Sequence, residues 1–173
     1  MPGSWLTAAI ALGIAWAMKQ FYSHANFDEL AWVLAPTMRL VERAGGVVFE
    51  LEPHHGYLSR DHWFEVVPAC AGLNFMIVTF VSLCLGLAHT CPGAAARAGL
   101  VLGSALAAYA GTVLANATRI VLAIRLHDAG ASFGALTPER LHCALGVAVY
   151  FLFLLVLFTA GERLTGARRE LAR

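Results

Sequence analysis

The chain has 173 residues, 59% of them hydrophobic and 13% charged, with a net charge of +1 and a positive mean hydropathy of +0.68. A soluble domain carries about one-quarter charged residues, so this composition excludes an ordinary soluble fold and indicates an integral membrane protein. Eleven of the twelve basic residues are arginine, only Lys19 is lysine, and no basic run is dense enough for nucleic-acid binding.

Residues 5–22 form the first spanning candidate, interrupted only by Lys19, whose long stem can snorkel to the interface. Ala15-Trp16-Ala17 has the small-x-small form of a signal-peptide cleavage site, but a positively charged n-region is missing, so a retained helix is expected. Residues 26–44 read as an amphipathic helix. Asn26 or Asp28 would cap it, and Leu30, Val33, Leu34, Met38, Leu40 and Val41 form its apolar face. Pro36 would kink it and Gly45-Gly46 would end it; such a helix suits the membrane surface.

From residue 47 the period changes. Val47, Phe49 and Leu51 alternate with Val48, Glu50 and Glu52, Pro53-His54-His55-Gly56 forms a turn, and residues 57–58 and 62–67 continue in strand-like runs. This predicts a small external β-ribbon leading into Cys70. Residues 71–88 are the second span, opened by Pro68 as a helix-start residue. Residues 98–118 form the third, rich in Ala and Gly as close packing in lipid favours, and continue or bend to 126. A polar loop over 127–140, a fourth span over 141–160 and a basic tail over 161–173 complete a single membrane domain. The expected fold is an all-α integral membrane protein with about four transmembrane helices, an external amphipathic helix and the ribbon.

Arginine counts near the helix ends place Arg97 and the tail arginines Arg163, Arg168, Arg169 and Arg173 inside, giving an N-in, C-in chain. Cys70, Arg119 and His142 then all sit at the outer ends of spans. A lone arginine at membrane depth costs about 3 kcal/mol at a helix centre, so Arg119 is expected to face the bundle or a wet pocket. Asn116, one turn earlier, points the same way. Gly72 permits close approach to the sulfur, and a thiol at a helix N-terminus is favoured as thiolate. His142 can move the thiol proton to a leaving amine, and Arg119 can stabilise a thiolate or an oxyanion. Asn74, one turn into the second span, either donates a hydrogen bond in the site or pairs between helices.

Other groups read more plainly. Cys84 lies mid-span, Cys91 lies inside, and Cys143 is expected to point to a different helix face from His142. His127 beside Asp128 rivals His142 but falls in the polar loop, where solvation suffices. His54, His55 and His62 with Glu50, Glu52 and Asp61 show no metal-ligand spacing, so neither metal nor organic cofactor is expected.

Pro68-Ala69-Cys70-Ala71-Gly72-Leu73, Asn116-Ala117-Thr118-Arg119-Ile120 and His142-Cys143-Ala144-Leu145-Gly146 occur in that order at helix ends. This ordered set resembles the exosortase/archaeosortase family of membrane-embedded sorting enzymes, over roughly residues 28–158, and most nearly a compact member of the exosortase K kind. Many members have Ser after the cysteine, where this chain has Ala71. The resemblance implies a cysteine peptidase or transpeptidase with Cys70 as nucleophile, His142 as acid/base and Arg119 as third member, Gly146 closing the histidine motif. It further implies a multi-pass protein of the bacterial inner (plasma) membrane with its site on the periplasmic side. The partners implied are exported proteins bearing a C-terminal sorting signal, membrane lipid and an acceptor nucleophile. The residues alone also leave open a four-span thiol-disulfide oxidoreductase, pairing Cys70 with Cys143, and a non-catalytic scaffold whose Arg119 binds lipid phosphate.

Overall fold

Helices dominate the structure, a computed structural model that describes residues 2–52, 56–59, 64–130 and 138–171. Five α-helices are present: α1 (Pro2–His24), α2 (Ala31–Gly45), α3 (Leu73–Leu87), α4 (Ala94–Asp128) and α5 (Pro138–Leu171). A three-stranded antiparallel sheet, β1 (Glu50–Glu52), β2 (Gly56–Ser59) and β3 (Phe64–Val66), lies between α2 and α3 in sequence. Glu50 pairs with Leu58, and Leu58 with Glu65, so β2 is the central strand of a meander.

Among the described residues, three segments are long and apolar enough to cross a membrane: Pro68–Thr90, Ala94–Asp128 and Arg140–Gly166. α1, at 23 residues, is not among them, because Lys19, Gln20, Ser23 and His24 make its last turns polar. Among the described residues the structure thus carries three such helices where the sequence suggested four. α5 turns most of its apolar surface outward, with Val147, Phe151, Leu152, Leu155 and Val156 exposed, as a helix solvated by lipid would.

Two compact units divide the chain, one of Met1–His24, Leu73–Gly111 and Phe153–Arg173, the other of Ala25–Gly72 and Thr112–Leu152. In the first, Lys19 Nζ donates to Asn74 Oδ1 at 2.9 Å and lies 5.4 Å from the Tyr22 ring centre. Glycines let the helices close: a Cβ on Gly86 would strike Phe158, one on Gly111 would strike Leu157, and one on Gly161 would lie 2.8 Å from Leu87. Phe80, Leu83, Cys84 and Leu87 form its buried centre. Beside them lies an apolar cavity of about 600 Å³ lined by residues of α3, α4 and α5, among them Leu87, Gly99, Gly103 and Leu157.

The second unit begins with a reciprocal cap. Asn26 Oδ1 accepts from the Glu29 N–H at 3.0 Å, and Glu29 Oε2 accepts from the Asn26 N–H at 2.8 Å. Asn26, rather than Asp28, makes this cap. Val33, Leu34, Met38 and Val41 are buried along one stripe of α2 with Leu30 before them, while Leu40 is only half-buried. Gly46 ends α2 in the left-handed region at φ 70°, its N–H bonded to the Glu42 carbonyl. The Glu42 carboxylate accepts from the Phe49 N–H at 3.1 Å, turning the chain back along α2 with Val47 and Phe49 buried and Val48 exposed. The regular strand starts only at Glu50, so the alternation over 47–49 belongs to an extended lead-in. Phe27 meets Tyr57 edge-on at 5.5 Å, fixing the ribbon to the start of the amphipathic segment.

Several boundaries differ from the sequence reading. α4 runs unbroken to Asp128, because the apolar stretch after Arg119 contains no residue that stops a helix. His127 is accordingly in its last turn and not in a loop. α5 starts at Pro138, a residue suited to a first helical turn, and continues through the expected tail to Leu171. The 53–56 turn, apart from Gly56, and the ligand-like residues His54, His55, Asp61 and His62 lie outside the described residues.

Candidate active site

Cys70 sits in a short 3-10 turn, Pro68–Ala71, entered from an extended Val67 at φ −96° and ψ 170°. Proline imposes that extended backbone on the residue before it, and the Cys70 N–H closes the turn on the Val67 carbonyl at 2.8 Å. Gly72 follows in the left-handed region at φ 74°, and α3 begins only at Leu73. Cys70 is therefore not in the first turn of the membrane helix, as the sequence reading expected. The left-handed glycine breaks the helical path between them.

What holds the turn comes from α4 and α5. Asn116 is 0% exposed. Its Nδ2 donates to the Cys70 carbonyl oxygen, and its Oδ1 accepts from the Tyr150 hydroxyl at 3.1 Å. An amide bonded at both ends has its flip state fixed by its partners. Gly72 is pressed into the same place: a Cβ there would lie 3.2 Å from Thr112 Cγ2, 3.3 Å from the Tyr150 hydroxyl and 3.6 Å from Asn116 Cγ. Thr112, Asn116 and Arg119 are spaced by four and three residues along α4 and so share one face.

The facing stripe of α5 is His142, Gly146 and Tyr150, each one turn apart. The Arg119 guanidinium carbon stands 5.7 Å from the Tyr150 ring centre, a cation–π arrangement. Its Cδ passes 3.4 Å from where a Cβ on Gly146 would be, the edge of ordinary contact, so the arginine stem runs against α5 at that glycine. Among the described residues, Arg119 Nε is buried without a hydrogen-bond partner. His142, near the start of α5, is exposed.

Of the sequence-singled residues, Cys70, Gly72, Asn116, Arg119, His142 and Gly146 thus fall in one unit; all but His142 are joined by the contacts above, and His142 shares the α5 stripe with Gly146 and Tyr150. Asn74 does not join them; its side-chain oxygen is taken by Lys19, the inter-helix alternative. His127 meets the ring of Phe64 edge-on at 5.3 Å. All four cysteines are free; Cys70 and Cys91 are half-buried, Cys84 buried and Cys143 exposed. Among the described residues no group of three or more His, Cys, Asp or Glu is arranged to hold a metal ion.

Sequence reasoning missed Tyr150. The signal was its position eight residues after His142 and four after Gly146, but a tyrosine in an apolar run also reads as ordinary packing.

No protein-family model matches the chain, and no curated protein or solved structure matches it either.

Proposed function

We propose that this chain is a membrane-embedded cysteine peptidase or transpeptidase of the exosortase kind, acting on the C-terminal sorting signals of exported proteins. The observation that carries the reading is the Asn116 amide, which ties the Cys70 turn to the helix face bearing Arg119 and, through Tyr150, to the stripe bearing His142. Three chain segments that the sequence alone could only list together are joined by that one side chain.

In the proposed reaction the Cys70 thiolate attacks the scissile carbonyl carbon and a C–S bond forms. Arg119 neutralises the charge on sulfur and then on the carbonyl oxygen. The C–N bond breaks as His142, carrying the thiol proton, hands it to the departing amine. Water or an acceptor amine then attacks the thioester carbon, His142 takes its proton, and the thiolate is released. The half-buried Cys70 and the exposed His142 suit a site that water and an acceptor can reach.

The finer architecture belongs to this reading. α1 serves as a fourth span, Lys19 snorkelling toward the interface as it bonds Asn74, and α2 with the ribbon lies on the outer surface. From the arginine distribution the orientation is N-in and C-in, and the resemblance implies a bacterial inner membrane.

The test compares the C-terminal peptides of exported proteins, by mass spectrometry, in cells making the native chain or Cys70→Ala. A set of exported proteins that loses its hydrophobic tail only with the native chain is the expected result. Identical C-termini in both cells would remove the peptidase reading.

A further inference from the structure

We infer that Tyr150 is a positioning residue that sets both the cysteine turn and the arginine of this centre through two separable parts of one side chain. The inference rests on the peptidase reading and adds to it a residue that neither motif spacing nor chemistry had singled out. The hydroxyl part acts on the turn: it donates to Asn116 Oδ1 at 3.1 Å, which fixes the amide so that its Nδ2 faces the Cys70 carbonyl. The same oxygen lies 3.3 Å from the place a Cβ on Gly72 would take, so it also limits where the turn can move. The ring part acts on the arginine, whose guanidinium carbon stands 5.7 Å from the ring centre.

Position explains why one residue does both. Tyr150 is one turn beyond Gly146, against which the Arg119 stem packs, and two turns beyond His142. The arginine stem crosses α5 at Gly146 and its head is met by the ring one turn on. Arg119 Nε makes no hydrogen bond among the described residues, so no acceptor at Nε shares the task of holding the head.

The two parts predict different phenotypes. Tyr150→Phe removes the hydroxyl and keeps the ring; Tyr150→Leu removes both; Arg119→Lys keeps the charge but lacks the flat guanidinium that stacks. The experiment measures, at one pH, the labelling rates of Cys70 by an anionic and a cationic membrane-impermeant thiol reagent, in right-side-out vesicles and a Cys143→Ser background. A guanidinium near the sulfur speeds the anionic reagent and slows the cationic one. Arg119→Ala is therefore expected to lower the anionic-to-cationic rate ratio by about threefold or more. Tyr150→Leu should reproduce most of that fall and Tyr150→Phe should keep the native ratio.

Should Arg119→Ala lower the ratio while Tyr150→Leu leaves it in place, the positioning role is overturned and the peptidase reading stands. No change with Arg119→Ala removes the arginine from the chemistry, and this inference with it. If Tyr150→Leu fails to accumulate in the membrane, Arg119→Lys decides: a lower ratio supports a ring-held guanidinium, and a native ratio means that charge alone suffices.

Discussion

The side chain of Asn116 donates to the main-chain carbonyl of Cys70, a partner 46 positions earlier in the chain. Its other end is held by Tyr150, and none of its surface is exposed. An asparagine so enclosed acts by holding its two partners together.

Replacing Asn116 should therefore act first on stability. Asn116→Leu fills similar space but leaves the Cys70 carbonyl and the Tyr150 hydroxyl without their partner. At roughly 1 kcal/mol for each lost bond, a lower thermal midpoint in detergent is expected, together with slower alkylation of Cys70. A native midpoint in this variant would mean that neither bond contributes to the folded state.

Gly72 and Gly46 share a left-handed backbone, at φ 74° and 70°, but differ in surroundings. Gly46 is exposed with nothing within 4 Å of a Cβ, whereas a Cβ on Gly72 meets Thr112 and Tyr150. Both alanine variants bear the backbone penalty of about 1–2 kcal/mol. Only Gly72→Ala adds a packing penalty, so its melting point should fall further. Equal losses would show that the pocket around Gly72 yields without cost.

Gly146 tests the passage of the arginine stem. A methyl there would lie 3.4 Å from Arg119 Cδ, which is close but near ordinary contact. Gly146→Ala should keep Cys70 alkylation near native rates, and Gly146→Leu should slow it by displacing the guanidinium. A leucine variant that labels at the native rate would separate Gly146 from the site.

The cap on the surface segment offers a cleaner measurement away from the centre. In a double-mutant cycle, Asn26→Ala and Glu29→Ala should each cost about 0.5–2 kcal/mol and the double variant less than their sum, because the two hydrogen bonds are reciprocal. Additive losses would mean that the bonds act independently.

Features encoded locally were legible in the sequence. The Asn26 start and Gly46 stop of the surface segment follow from short-range side-chain and backbone chemistry, as does the ribbon. The Asn116–Arg119 spacing put both on one face before any contact was known. What could not be read depends on partners distant in sequence or on backbone choices with two outcomes. Gly72 could have continued a helix, and its left-handed conformation is what separates Cys70 from α3. Asn74 had two partners available, and Lys19 on α1 took it. Tyr150 looked like any aromatic in lipid until its hydroxyl was found on Asn116. Nothing after Arg119 told whether the helix bends, because apolar residues serve a straight helix and an interfacial one equally.

Cys70 and Gly72 are made early, but their partners Thr112, Asn116 and Tyr150 arrive much later on the ribosome. During synthesis the Cys70 turn therefore has no amide to hold it. Its assembly waits until α4 has been made and α5 has reached Tyr150. The unit that holds Cys70 thus closes only after Tyr150 has been synthesised, long after the cysteine itself.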